Sequence, residues 1–303
     1  MAISLSSDRF VVGAARISET MRISPLAVGV VVIGFGTGLP ELMAATIASL
    51  QHNPDLGISS VLGSTVVNST LVLGTLGAIS APRISSSVLK KEGLYQIASM
   101  VLFALVVWFT HNILTYGLLL ATIVLFIWPT IRSARNEGSN AELEKDAQVI
   151  EKSHQWGIAK AVVITLASLL VVLASAELLI SSASNLAVSL GISSSVIGAT
   201  LVAIGTGLPE WTASIVAAKK GHSELVIGNV FGHIIFNSTV VAGIAGVLAP
   251  GALHIPHLGV ELIFSLATAS LAWLLLLSGR RLTKIEGWSL IAIYIGWLVA
   301  VSV

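Results

Sequence analysis

Two glutamates decide what chemistry this chain can do. Glu41 and Glu210 each close the hexapeptide Gly-Thr-Gly-Leu-Pro-Glu, at 36–41 and 205–210, and each lies well inside a long apolar run. A carboxylate in that setting is costly unless it faces a cavity, a partner or an ion. Pro40 and Pro209 lack a backbone donor and crowd the preceding turn, and the motif glycines let the chain open there. Opened carbonyls inside a bilayer are tolerated where they line a cavity. Each copy is therefore expected to offer carbonyl oxygens (Gly36, Gly205), a hydroxyl (Thr37, Thr206) and a carboxylate. Two copies facing one another form an oxygen cage with two negative charges. Ca²⁺ takes about 6–8 oxygens in irregular geometry, whereas Mg²⁺ demands a small octahedron and keeps its waters. The absence of Cys, and a single His near the motifs, point away from a soft transition-metal site.

Further polar residues follow each motif. Asn68 and Asn237 stand mid-run in the next apolar segments, at the same spacing from their glutamates, so their amide oxygens are candidates to complete the cage. The alternative for each is a helix–helix hydrogen bond. Ser64 and His233 lie one turn earlier on the same helix face. His233 reads either as a proton-titrating group beside the cage or as a neutral ring donating to a carbonyl. Trp211 reads as packing against a neighbouring helix. Asp8 and Glu177 read as lying near the outer interface.

The elements that must hold these residues are transmembrane helices. Of 303 residues 55% are hydrophobic and only 10% charged, with a mean hydropathy of +0.93. A soluble domain carries about 25% charged residues, so an ordinary cytosolic enzyme is excluded. A net charge of +1 gives no sign of a nucleic-acid partner. Apolar runs long enough to span occur at about 25–51, 56–80, 92–110, 112–133, 158–189, 194–218, 223–248, 257–278 and 284–302. Lys and Arg cluster in alternate connections, at Arg16/Arg22, Arg83/Lys90/Lys91, 132–160, Lys219/Lys220 and Arg280/Arg281/Lys284. These connections are expected on the cytoplasmic side of a cell membrane that the chain crosses many times.

The two halves repeat. A shift of 169 residues superposes the hexapeptides and sets Asn68-Ser69-Thr70 on Asn237-Ser238-Thr239 without a gap. About 20 of the 52 residues in 23–74 are identical to their partners. The shift covers five spans, an odd number, so the copies cross the membrane in opposite directions. Inverted repeats with interrupted midplane helices mark secondary transporters. The expected architecture is all-α and polytopic, with two inverted repeats of about five helices each. Residues 1–133 form the first repeat, 134–156 a cytoplasmic linker, and 157–303 the second repeat. The apolar stretch 158–176 has no counterpart before Met1. The first helix, 1–24, is therefore expected to be a shortened stub, either natural or from a start codon placed too late.

The paired hexapeptides, with Gly63-Ser64-Thr-Val-Val-Asn68-Ser-Thr-Leu-Val-Leu-Gly74 and Gly228-Asn-Val-Phe-Gly-His233-Ile-Ile-Phe-Asn237-Ser-Thr-Val-Val-Ala-Gly243, resemble the two alpha repeats of the cation/calcium exchanger superfamily, specifically its prokaryotic sodium/calcium antiporters. The resemblance covers nearly the whole chain. It implies ten helices in two inverted halves and exchange of Ca²⁺ against Na⁺, with Glu41 and Glu210 as shared ligands and Thr37, Thr206, Ser64, Asn68 and Asn237 at matching positions. Family motifs often read Gly-Thr-Ser where this chain has Gly38 and Gly207, which removes two hydroxyls associated with Na⁺. His233 stands where serine is usual. Asn237 stands where potassium-dependent members place aspartate. H⁺ therefore stays open as the driving ion, giving a Ca²⁺/H⁺ antiporter as the alternative, with a cation channel a more distant one. The ions are cargo and no cofactor is expected. The lipid bilayer is the expected partner, with no obligate protein partner evident. No ATP-binding signature is present, and no nucleophile or metal-binding His motif suggests an enzyme.

Overall fold

A computed structural model describes residues 2–21, 23–81, 86–110, 112–137, 157–189, 207–251, 253–255, 257–279 and 281–302. The described chain is built of helices. We label them α1 Ala2–Met21, α2 25–37, α3 Leu39–Leu50, α4 Pro54–Ser80, α5 Ser86–Phe109, α6 Ile113–Ala121, α7 Ile123–Glu137, α8 Ile158–Ser189, α9 Leu208–Lys219, α10 Ser223–Leu248, α11 Leu258–Gly279 and α12 Lys284–Ser302. Six of the described helices are long and apolar enough to cross a bilayer. The bent pair Gly29–Thr37 and Leu39–Leu50 makes up to seven. The bounds follow the apolar runs closely. Of the run at 194–218, only the part from Gly207 lies within the described residues. α7 continues into the expected linker as far as Glu137, and 138–156 lie outside the described residues.

Local chemistry starts these helices where it should. Pro54 opens α4 in its first turn, and the Asp55 carboxylate accepts the His254 backbone N–H at 3.1 Å, tying α4 to the loop before α11. Asn112 caps α6 by accepting from the Thr115 N–H at 3.0 Å. Thr283 and Glu286 form a reciprocal box at the start of α12, with bonds of 2.7 and 3.3 Å.

Burial separates a core from a lipid-facing shell. An 18-residue apolar stretch of α10 has 83% of its length buried and one of α4 67%, against 22% for a stretch of the span Ile113–Arg132. The core pair α2 and α10 approach backbone to backbone. A Cβ on Gly34 would stand 2.7 Å from the His233 nitrogen, and one on Gly232 would stand 2.5 Å from the Val30 Cα. Small residues permit this closeness in membrane helix pairs.

The repeat is visible in the helices themselves. α1 packs on its repeat partner α8. Gly13 faces Ala161 and Thr165, whereas Leu5 shares a surface cleft with Ala167, Ser168 and Val171. The two helices thus run antiparallel, as inverted copies must. α4 and α10 each contain one widened π-turn at the same repeat position, Asn68–Val72 and Asn237–Val241. Asp8 pairs with the basic turn after α9, its Oδ1 lying 2.8 Å from Lys220 Nζ with both side chains partly exposed. The Glu177 side chain lies outside the described residues.

Candidate cation site

The site forms where two helices begin. Gly38 precedes α3 at φ −80°, ψ −5°, and Gly207 precedes α9 at φ −86°, ψ −1°. Pro40 and Pro209 then occupy the first turns. α2 and α3 meet at 45°. The first motif is thus a sharp bend rather than the open stretch its glycines and proline suggest. The Gly38 N–H still reaches the Gly34 carbonyl at 3.2 Å. Pro40 removes the donor that would serve the carbonyl of Gly36 in a continuous helix. Glu41 and Glu210 fall in the first turns of α3 and α9, where the positive end of the helix dipole favours a carboxylate. They are 3% and 0% exposed.

The two carboxylates and His233 form one buried cluster, with ligand atoms all within 4.8 Å of one another. His233 stands between them. Its Nδ1 is 3.3 Å from Glu210 Oε1, and its Nε2 is 3.6 Å from Glu41 Oε1. Among the described residues no Lys or Arg pairs with either glutamate. Ser64 Oγ lies 2.9 Å from His233 Nε2 and accepts from the amides of Asn68 at 3.4 Å and Asn237 at 3.3 Å. Asn68 also donates to the Ser64 carbonyl at 3.0 Å, and Asn237 Nδ2 lies 2.9 Å from His233 Nε2. The Thr37 hydroxyl donates to the Ile33 carbonyl at 3.0 Å and stands 3.4 Å from His233 Nδ1.

Both asparagines spend their nitrogens on neighbours and leave their oxygens unused. Asn68 Oδ1, Asn237 Oδ1, Glu41 Oε2 and Glu210 Oε2 are buried with no hydrogen-bond partner among the described residues. Each such orphan costs about 1–3 kcal/mol. A divalent cation would satisfy them together, and the donor set is mainly hard oxygen, which suits Ca²⁺.

Seven of the ten sequence candidates therefore converge. Glu41, Glu210, Ser64, Asn68, Asn237, His233 and Thr37 share one cluster. Gly36 lies at the bend, covered by Leu169. Gly205 and Thr206 lie outside the described residues. Trp211 packs as expected, its indole N–H donating to Thr75 Oγ1 at 2.9 Å. Sequence reasoning missed Asn229. It is 1% exposed, its Oδ1 accepts from Thr37 at 3.3 Å, and its amide reaches Ser214 Oγ at 3.5 Å. Its repeat partner is Ser60, so comparing the copies gives no signal there.

The structure also gives a reason for Gly38. A Cβ there would stand 2.7 Å from Cδ1 of Phe236, whose ring is buried and packs on Phe35 with centroids 4.8 Å apart. Gly38→Ser is therefore expected to destabilise the protein by about 1–3 kcal/mol rather than add a working hydroxyl. The melting temperature in detergent should fall and recover when Phe236→Leu is added. An unchanged melting temperature for the single variant would contradict this packing account.

Comparison with known proteins agrees with this geometry. The pattern of the sodium/calcium exchanger protein family matches residues 1–131 and 160–303. The protein named CaxA of Alkalimonas amylolytica is 31% identical over 300 residues, covering 96% of this chain and 92% of that protein. The sodium/calcium exchanger MaX1 of Methanosarcina acetivorans is 25% identical over 337 residues, covering 97% and 93%. A solved structure of the sodium-calcium exchanger NCX_Mj, soaked with 10 mM Na⁺ and zero Ca²⁺, superposes with a TM-score of 0.84 at 27% identity, covering 99% of this chain and 95% of that one.

Proposed function

The chain belongs to the sodium/calcium exchanger family, and we propose that it exchanges Ca²⁺ for Na⁺ by alternating access at a cage between Glu41 and Glu210. As a member of that family it is a transporter, not an enzyme. The observation that carries the reading is the pair of buried carboxylates with orphaned amide oxygens beside them and no Lys or Arg partner among the described residues. Two ionised carboxylates are neutralised by one Ca²⁺, by two Na⁺ or by two protons. The empty, doubly charged cage is disfavoured in an apolar interior, so transit without cargo is discouraged and the two ions become coupled. The inverted halves, 1–133 and 157–303, would rock about this site, each supplying one glutamate and one asparagine. The basic connections and the linker 134–156 would face the cytoplasm of a cell membrane.

A second reading, Ca²⁺/H⁺ exchange, draws on Gly38 and Gly207, which lack hydroxyls, and on the imidazole held between the carboxylates. Ca²⁺ flux in proteoliposomes under separately imposed Na⁺ and H⁺ gradients tests both. Flux driven by Na⁺ at constant pH is the expected result. Flux driven only by H⁺ would move the assignment to the second reading. Ca²⁺ conduction with no counter-ion would indicate a channel and overturn both.

A further inference from the structure

The face that α1 and α8 turn outward holds one charge among apolar side chains. Leu5, Leu166, Leu170 and Val171 are exposed there, and in a span as apolar as 158–175 such residues meet lipid tails. Between the two helices opens a cleft of about 410 Å³, lined by Leu5, Ser6, Arg9, Ala167, Ser168 and Val171. Arg9 lies inside α1, apart from the basic clusters at the helix ends. Its neighbour Asp8 is engaged with Lys220 Nζ at 2.8 Å, and adjacent residues of a helix do not face one another. Among the described residues no carboxylate forms an ion pair with Arg9. The Asp8–Lys220 pair also fixes its depth. Lys220 stands in the turn just past α9, so Asp8 and Arg9 lie within a side chain's reach of that end of the bundle, where headgroups meet tails. The repeat partner of Arg9 is Leu178, which is 67% exposed. The second copy thus places an apolar side chain where the first places a guanidinium. A charge against lipid tails is costly unless an anion meets it, and a guanidinium binds phosphate through paired N–H bonds.

We propose that this cleft binds one anionic phospholipid, its phosphate on Arg9 and an acyl chain along Leu5, Ala167 and Val171. The proposal goes beyond ion exchange and rests only on the chain's place in a membrane. Charge complementarity selects the headgroup. A zwitterionic lipid brings its own cation to the phosphate, whereas an anionic lipid leaves the phosphate to the guanidinium. Ser6 and Ser168 give the cleft its other polar lining. One wall comes from each repeat, so a lipid seated there bridges α1 and α8 and holds the pair together. Leu178 gives the second copy no such charge, so the site occurs once per chain, at the Lys220 end of the bundle.

The test follows the melting temperature of the full chain in detergent as phosphatidylglycerol, phosphatidylcholine of the same chains, or inorganic phosphate is added. Phosphatidylglycerol should raise it at concentrations where the other two do not. The phosphatidylglycerol concentration for half the shift should rise about five- to tenfold in Arg9→Gln. Arg9→Lys keeps the charge, loses the paired N–H bonds and should fall between. Ala167→Trp fills the apolar part of the cleft at an exposed position and should weaken the response with Arg9 still in place. Equal shifts from the two lipids, or an unaltered phosphatidylglycerol response in Arg9→Gln, would overturn the proposal. A shift produced by inorganic phosphate alone would make this a free-phosphate site and overturn the lipid assignment. If Arg9→Gln does not fold, Arg9→Lys and Ala167→Trp decide, and an unaltered response in both would overturn the proposal. None of these readouts depends on ion flux, so an absence of flux in proteoliposomes would defeat the exchange reading alone.

Discussion

Glu41→Gln and Glu210→Gln are each expected to abolish exchange while leaving the protein folded. Glutamine keeps the shape and the carbonyl oxygen of glutamate and removes only the charge. Both carboxylates are buried, and neither pairs with a Lys or Arg among the described residues. Neutralising a buried, unpaired carboxylate relieves a folding cost, so the melting temperature in detergent should hold or rise. The cage, however, loses half its charge. Removing one charge from a close, desolvated pair costs about 2–5 kcal/mol, roughly a 30-fold or greater loss of divalent affinity. A variant with unaltered Ca²⁺ uptake would remove that glutamate from the site. A variant that fails to fold would assign it a structural role instead.

Gly232→Ala should be the most damaging substitution outside the carboxylates. The added Cβ would overlap the Val30 carbonyl and stand 2.5 Å from the Val30 Cα. These are backbone atoms of α2, so no side-chain rotation relieves the clash and the helices must separate. Overpacking of this kind costs about 1–3 kcal/mol, and more where the backbone cannot move. Separation would also shift His233, whose backbone nitrogen faces Gly34, and Asn229, whose Oδ1 holds Thr37. The expected result is a lower melting temperature together with weaker divalent binding. Gly63 occupies the same repeat position in the other copy, but a Cβ there meets only the Trp297 ring, at 3.7 Å. Gly63→Ala should therefore be neutral or stabilising by up to about 1 kcal/mol. Equal losses in the two variants would contradict the packing described for α2 and α10.

Much of this arrangement was legible before any coordinates. Membrane helices announce themselves by apolar length, so the run at 56–80 foretells Pro54–Ser80 to within two residues at its start. The repeated hexapeptide singles out Glu41 and Glu210, and the structure buries both beside His233. What stayed hidden depended on contacts between distant segments. The π-turns at Asn68 and Asn237 carry no hydrophobic period of their own. Asn229 has no identical partner in the first copy. Nothing around Asp8 in the sequence signals its pairing with Lys220, from the other repeat. Gly38 reads as a missing hydroxyl until the Phe236 ring is seen filling the space a side chain would need.

Gly36 shows how local rules overreach. Its motif contains two glycines and a proline, which permit an opened backbone, yet α2 and α3 join through a bend that keeps the Gly38 to Gly34 bond. Permission is not compulsion. Packing of Leu169 over Gly36 and of Phe236 over Gly38 leaves the bend little room to open in this conformation. The convergence of the two glutamates, by contrast, follows from the inverted repeat, because symmetry brings equivalent midplane residues toward one another.

The most direct test of the cage is equilibrium binding of radiolabelled Ca²⁺ to the purified chain in detergent, with and without Na⁺. The account predicts saturable binding of one Ca²⁺ per chain, displaced by Na⁺ and lost in the Glu41→Gln/Glu210→Gln double variant. Ca²⁺ binding that persists undiminished in the double variant would contradict it.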